Sequence, residues 1–198
     1  QYRPPGTPPV GAAHVAVAGD WLNDLSMFAF MAWVAFDRAI QAVENMGYDG
    51  PVERWRVIRE QIHADVCSRA YSNERQAFVQ AYESDQLDAS LLRMPLVGFL
   101  PADDPRVRST LLAIERELLV DDTFVLRYRT SPEIDGLPAG EGAFLPCSFW
   151  LVNNWVLQGR HAEARALFER LLKLCNDVGL LSEEYWPEGS PRKMQTLP

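Results

Sequence analysis

The stretch that decides the fold runs from residue 141 to residue 185. It begins Glu141-Gly-Ala-Phe-Leu-Pro-Cys-Ser-Phe-Trp-Leu-Val152, continues through an amphipathic segment, and closes with Asn176-Asp-Val-Gly-Leu-Leu-Ser-Glu-Glu-Tyr185. Its first part is apolar on more than one side, as expected of a helix inside a bundle or barrel. Its last part sets two carboxylates beside an aromatic residue in a turn past a helix end, where a helical barrel can present a catalytic base. The stretch predicts a helical core and a candidate site at a helix end.

Helical periodicity extends outward from this stretch along the chain. Apolar residues recur every three or four positions in three stripes: Val52, Trp55, Ile58, Ile62 and Val66; Val107, Leu111, Ile114 and Leu118; and Ala164, Leu167, Leu171, Leu174 and Val178. Asp104 and Pro105 mark the start of the second helix. Gly179 predicts the end of the third, because glycine readily takes the left-handed cap conformation.

Two further helices, over residues 31–43 and 144–157, are apolar on more than one side and rich in aromatic residues. A shorter helix is predicted over residues 85–94, with Pro95 as its limit. Inner apolar helices that alternate with outer amphipathic ones are how a two-layer ring of helices buries its inner layer. The sequence therefore predicts an all-α fold of six helices in three hairpins, arranged as part of an α/α toroid. Composition alone fits an ordinary helical bundle almost as well.

The composition excludes several classes of partner. The chain has 198 residues, enough to bury the core of one domain, and 27 acidic against 19 basic residues give a net charge of -8. Such a charge repels phosphate backbones and anionic lipid surfaces, so neither a nucleic acid nor a membrane is predicted as a partner. No window approaches the roughly 18 consecutive apolar residues of a membrane span, and no segment resembles a signal peptide, so a cytoplasmic location is predicted.

Cysteine and histidine form no ligand pattern. Cys67, Cys147 and Cys175 lie far apart without metal-ligand or redox spacing, and they are interpreted as small buried apolar residues. The three histidines are dispersed as well. Neither a metal site nor a catalytic triad is predicted.

Polar chemistry is concentrated in loops. The longest loop covers residues 130–141 and is rich in proline, glycine and acidic residues, which is typical of a functional loop. Just before it, Arg127 offers a planar fork of hydrogen-bond donors for a ligand, although a helix-end salt bridge explains the same residue about as well. Tyr128 and Trp186 offer aromatic faces on which a ligand ring can stack. Taken alone, Glu183 and Glu184 are more simply explained as a solvated turn.

Several separate strings carry a family resemblance. They are Met31-Ala-Trp-Val-Ala-Phe-Asp-Arg-Ala-Ile40, Phe78-Val-Gln-Ala-Tyr82, Leu87-Asp-Ala-Ser-Leu-Leu92, Val97-Gly-Phe-Leu-Pro-Ala-Asp-Asp-Pro105, Gly142-Ala-Phe-Leu145 with Cys147-Ser-Phe-Trp150, and Ser182-Glu-Glu-Tyr185. Together they resemble the glycoside hydrolases of family 15, which include glucoamylases, glucodextranases and bacterial trehalases. The resemblance implies that residues 31–198 form part of an (α/α)6 barrel. Residues 1–30 do not resemble the family and are predicted to be a divergent N-terminal segment, with disorder as one option.

The resemblance also implies roles for individual residues. In the family, the glutamate of a Ser-Glu-Gln/Glu-Tyr motif is the general base, and Glu183 occupies that position. The arginine of an Arg-Tyr pair binds sugar in the innermost subsite, which implies that role for Arg127, with Tyr128 beside it. Glu141 and Trp186 are further predicted substrate-binding residues. Hydrolysis by two carboxylates requires neither a metal nor an organic cofactor, so none is predicted.

The predicted function is the inverting, exo-acting hydrolysis of an α-linked glucan, a maltooligosaccharide or trehalose. Two alternatives stay open, a catalytically inactive fragment that retains sugar binding and a helical interaction module of unrelated function. Inversion requires a protonated acid opposite the base, and the glutamate of the family's Trp-Glu motif would fall near Val17. Asp20 and Asp24 are the nearest carboxyls and match no motif, which favours the inactive fragment.

The likeness also stops short of the family's closing motif, and the amino-terminal β-sandwich and first half of the barrel have no counterpart. A truncated half-barrel is therefore predicted. Its open side would expose the inner helices around Phe30, Trp33, Phe149 and Trp150, a surface that favours self-association. A homo-oligomer that closes the ring is predicted for this reason.

Overall fold

The computed structural model describes residues 26–129 and 142–186. Helices dominate this part of the chain, which confirms the all-α prediction. The helices are α1 (Ser26–Met46), α2 (Val52–Arg69), α3 (Arg93–Leu96), α4 (Pro105–Leu118), α5 (Leu145–Leu157) and α6 (His161–Leu172), and a 3-10 helix (Ala89–Leu92) leads into α3.

Short antiparallel strand pairs connect the helices. Strand β1 (Tyr71–Ser72) pairs with β2 (Ala77–Phe78), and β3 (Leu119–Val120) pairs with β4 (Phe124–Val125). The third pair joins segments more distant in sequence, β5 (Ala143–Phe144) and β6 (Glu184–Tyr185). Each of these strands has two residues, so the pairs link helix ends locally and do not form a larger sheet.

The hairpin of α1 and α2 encloses an aromatic cluster. The Trp33 ring meets Phe99 edge to face at 5.2 Å between centroids, and Phe99 also lies 4.7 Å from the His63 ring. A buried carboxylate, Asp37 on α1, pairs with Arg59 on α2 at 3.0 Å. Aromatic packing and this ion pair together fix α1 against α2.

Two of the inner residues expected at an open surface are covered. Phe30 is fully buried and Trp33 is 8% exposed, because both side chains point into the hairpin toward Phe99. Phe149 and Trp150 on α5 are half-buried. The expectation of an exposed inner surface is thus wrong for Phe30 and Trp33.

Helix α5 lies at the centre of the described core. Seven of its 13 residues are buried, as its apolar composition requires. Two of these are polar and bind neighbouring elements: the Ser148 hydroxyl accepts a hydrogen bond from the Val125 N–H of β4 at 2.9 Å, and the Asn154 amide donates to the Leu92 carbonyl of the 3-10 helix at 2.8 Å. Helix α6 packs on α5 through Ala164, Leu167 and Leu171. The position of α5 therefore sets the position of the loops around it.

The start of α4 agrees with the sequence prediction. The Asp104 carboxylate accepts a hydrogen bond from the Arg106 N–H at 2.8 Å, and Pro105 is the first helical residue. The same carboxylate pairs with the Arg106 side chain at 2.8 Å. The hydrogen bond from Arg106 holds the pKa of Asp104 below its ordinary value. Asp104 is therefore both a cap and the partner of an arginine on its own helix.

Two predicted helix boundaries are wrong. Helix α6 ends at Leu172 and not at Gly179, because the Asn176 side-chain oxygen accepts hydrogen bonds from the N–H groups of Val178 and Leu180 and turns the chain. The helix expected over residues 85–94 begins only at residue 89. Pro95 lies inside α3, within its first turn, where a missing N–H costs no helical hydrogen bond.

Candidate active site

The segment that carries Glu183 is bound to the N-terminal end of α5. The Leu145 N–H donates to the Glu183 carbonyl at 2.9 Å, and in the adjoining strand pair Phe144 lies opposite Glu184. The Ser182 hydroxyl donates to the Glu184 carbonyl at 2.7 Å, which closes the turn. The backbone of Glu183 is thereby fixed to a buried helix, although its sequence lies in a loop.

The Glu183 side chain is exposed, and among residues 26–129 and 142–186 no hydrogen bond or ion pair reaches its carboxylate. A carboxylate fixed through its main chain and open at its side chain can accept a proton from a water molecule. Glu184, its neighbour, is half-buried.

Tyr185 and Trp186 complete the anchoring of this segment. The Tyr185 ring stacks on Phe124 of β4 at 4.7 Å, with 12° between the ring planes. Trp186 lies over Gly142: a Cβ at position 142 would come within 3.1 Å of two indole carbons and 3.0 Å of the Tyr185 carbonyl oxygen. A side chain at position 142 would therefore require this segment to shift by a few tenths of an ångström.

Arg127 is held by contacts of both its side chain and its main chain. Its Nε donates to Asp88 at 2.8 Å, one of its terminal nitrogens contacts the Met27 sulfur at 3.4 Å, and its carbonyl accepts from the Ala89 N–H at 2.7 Å. Burial alone would lower the pKa of Arg127, but the charge of Asp88 and the hydrogen bond to it raise that pKa above its ordinary value. The guanidinium therefore stays charged while half-buried.

The thiol of Cys147 shows how close Arg127 lies to α5. Burial raises the pKa of Cys147 to about 12, and the positive charge of Arg127 acts in the opposite direction. Cys147 belongs to the first turn of α5 and is fully buried. Its thiol is therefore uncharged at physiological pH, in agreement with the interpretation of Cys147 as a small apolar residue.

The segments that carry the candidate residues are adjacent near the N-terminal end of α5. Strand β4, which leads into Arg127 and Tyr128, contacts β5, and β5 pairs with the β6 segment that follows Glu183. Tyr128 and Trp186 are both half-buried. The other predicted positions, Glu141, Val17, Asp20 and Asp24, lie outside the described residues.

Sequence reasoning missed two features of this site. The ion pair between Asp88 and Arg127 crosses 39 positions of sequence, and no local pattern predicts it. The contact of Gly142 with Trp186 joins the two ends of the opening stretch. In the described part of the chain, no group of histidine, cysteine, aspartate and glutamate residues could hold a metal ion, and no helix is long and apolar enough to cross a membrane.

Comparison with solved structures defines the class of fold. A wild-type glycosidase superposes with a TM-score of 0.69 at 18% identity, covering 81% of this chain and 41% of that one. A glycosidase variant solved in complex with glucose superposes with a TM-score of 0.70, also at 18% identity, covering 82% of this chain and 42% of that one. The fold is an all-α portion of a glycosidase helical barrel.

Sequence comparison then defines the family. Residues 23–196 match the family model described as glycosyl hydrolases family 15, and this chain belongs to that family. Its relatives include trehalases from Mycolicibacterium smegmatis (46% identity over 157 residues, 79% of this chain and 23% of the relative) and Mycobacterium tuberculosis (44% over 168 residues, 85% and 24%). A trehalase from Thermoplasma acidophilum is 42% identical over 154 residues, 78% of this chain and 26% of the relative. The chain spans about a quarter of the length of these curated relatives.

Proposed function

We propose that this chain supplies the base-bearing part of an inverting α-glucoside hydrolase of trehalase type, with Glu183 as the general base. The observation that carries the proposal is the exposed Glu183 carboxylate, anchored by the hydrogen bond from the Leu145 N–H to its own carbonyl. Membership of family 15 supports this role, because Glu183 occupies the position of the family's general base in the Ser-Glu-Gln/Glu-Tyr motif.

In this mechanism the Glu183 carboxylate takes a proton from a water molecule as the water oxygen attacks the anomeric carbon. An acid on the opposite face of the sugar protonates the departing glycosidic oxygen, and the two carboxyl groups of an inverting enzyme stand roughly 6.5–9.5 Å apart to admit the water. Arg127 donates hydrogen bonds to sugar hydroxyls in the innermost subsite, and Tyr128, Glu141 and Trp186 are the further proposed substrate-binding residues. An arginine fork suits a pair of neighbouring hydroxyl groups.

Trehalose is the proposed substrate. The relatives named above are trehalases at 42–46% identity, and their similarity extends over most of this chain. Maltooligosaccharides and longer α-linked glucans are the competing substrates, because family 15 also includes glucoamylases. A cytoplasmic location and a homo-oligomer that closes the ring stay predictions.

A second candidate function is sugar binding without turnover. It is favoured by one observation, that Val17 stands where the resemblance puts the family's acid and that no Trp-Glu string occurs nearby. Valine cannot transfer a proton. The third alternative, an unrelated interaction module, is not carried further, since the chain belongs to a hydrolase family.

The two candidates are separated by incubating the purified chain with trehalose, maltose or soluble starch and measuring released glucose. The proposal expects release from trehalose at least tenfold faster than from the other two. Binding of glucose by the folded chain, without release from any of the three sugars, would overturn hydrolysis by this chain and favour the second candidate. Faster release from starch would replace the proposed substrate with a glucan.

Gly142→Ala is expected to lower glucose release about tenfold with little loss of stability. The new methyl group would sit 3.0 Å from the Tyr185 carbonyl and 3.1 Å from the Trp186 ring, so the segment after Glu183 must shift by a few tenths of an ångström. A misplaced catalytic group costs rate even when the fold is intact. Steady-state kinetics beside thermal unfolding checks this; unchanged kinetics would show that the Gly142 contact does not position Glu183.

A further inference from the structure

Asp88 combines two contacts at the base of the candidate sugar site. It is 5% exposed, and its Oδ1 accepts hydrogen bonds from the Ser90 N–H at 2.7 Å and from Arg127 Nε at 2.8 Å. The next residue, Ala89, donates its N–H to the Arg127 carbonyl at 2.7 Å. The start of the 3-10 helix thus holds both the main chain and the side chain of Arg127.

Capping alone does not explain an aspartate here. Serine and asparagine cap a helix start about as well, and neither carries a charge. A buried carboxylate is costly unless it is paired, and Arg127 is the basic side chain that pairs with Asp88 in the described part of the chain. The ion pair with Arg127, and not helix capping, therefore explains why this residue carries a negative charge.

The geometry leaves the outer part of the guanidinium available. Asp88 engages Nε, and the Met27 sulfur lies against Nη2 at 3.4 Å. Among residues 26–129 and 142–186, Nη1 has no hydrogen-bond partner, and about a third of the arginine side chain is exposed. The Nε edge of the guanidinium is thus fixed by Asp88, and the edge with Nη1 remains available to a ligand.

We infer that Asp88 is a positioning residue for substrate binding: its buried carboxylate fixes the Arg127 guanidinium so that the free edge of the fork meets the hydroxyl groups of the innermost glucose. This inference rests on the proposed function, in which Arg127 binds sugar. Fixing the fork before binding reduces the conformational entropy lost when the sugar binds.

Asp88→Ser tests the inference, since serine retains the cap but is too short and uncharged to hold Arg127. The equilibrium dissociation constant of the chain for D-glucose, followed by NMR titration, is expected to rise about tenfold, as for the loss of a charged hydrogen bond. Arg127→Ala should weaken binding at least as much. The double variant should be no weaker than Arg127→Ala alone, because the two residues act as one unit.

Asp104→Ser is the matched control. Asp104 also caps a helix and also pairs with an arginine, Arg106, but that pair lies on α4 and does not contact Arg127. This variant should lower the unfolding temperature about as much as Asp88→Ser and leave the glucose dissociation constant unchanged. Should Asp88→Ser not fold, Asp88→Asn, which keeps both acceptor contacts and loses only the charge, is expected to weaken glucose binding about threefold.

The outcomes separate this inference from the function on which it rests. If Arg127→Ala leaves glucose binding unchanged, the proposed role of Arg127 fails, and the inference fails with it. If Arg127→Ala weakens binding while folded Asp88→Ser and Asp88→Asn bind as tightly as the wild type, only the inference is overturned. Additive effects of Asp88→Ser and Arg127→Ala would also overturn it, since Asp88 would then act independently of Arg127.

Discussion

Glu183→Gln is expected to lower glucose release from trehalose about a thousand-fold while the fold stays intact. A carboxamide cannot take a proton from water, and general acid or base catalysis typically contributes about 10²–10⁴-fold. Stability should change by less than about 0.5 kcal/mol, since the side chain is exposed. The hydrogen bond from Leu145 uses the Glu183 carbonyl, which the substitution retains.

Glu184→Gln is the control for this variant. It removes the neighbouring carboxylate, and the family motif accepts glutamine at that position, so most of the activity should persist. Activity would be measured as kcat/KM on trehalose, with circular dichroism spectra to establish folding. An equal loss in both variants would mean that the carboxylate pair acts through its charge and that Glu183 is not a specific base.

Leu151→Ala is expected to have the largest effect on stability, a loss of about 2–5 kcal/mol. Leu151 is fully buried at the middle of α5, so truncation removes apolar contacts and leaves a cavity that the surrounding helices fill only in part. Because the same helix fixes Glu183 through Leu145, glucose release should fall at temperatures where the variant begins to unfold. Urea unfolding followed by circular dichroism measures the loss.

Leu157→Ala is the matched control on the same helix. Leu157 is 51% exposed and ends α5, so the same change of side chain should cost less than about 1 kcal/mol. Equal losses at the two positions would contradict the described packing of α5.

The helices could be predicted from the sequence because their periodicity and end signals are local. Asp104 and Pro105 fix the start of α4 through contacts within two residues, and that start is confirmed. The end of α6 was missed because the apolar repeat continues through Val178 while the Asn176 side chain binds backbone N–H groups and turns the chain. Such competition between a side chain and the helix is weakly marked in sequence.

The site was only partly predictable for a different reason. Family resemblance could nominate Glu183 and Arg127, but periodicity could not, since both lie outside the helices. The pairing of Asp88 with Arg127 depends on the contact between the start of the 3-10 helix and the segment after β4, and no local sequence pattern specifies this contact. The exposure expected for Phe30 was wrong because Phe99, from the segment after α3, packs against its ring.

The most direct test of the central claim, that Glu183 activates the attacking water, is to incubate Glu183→Ala with trehalose and sodium azide and to identify the products by proton NMR. Azide is small enough to enter the space left by the carboxylate, and it attacks the anomeric carbon without needing a base. The account predicts β-glucosyl azide from Glu183→Ala, with inverted configuration, and none from the wild type. Glucose release by Glu183→Ala at the wild-type rate, without glucosyl azide, would contradict it.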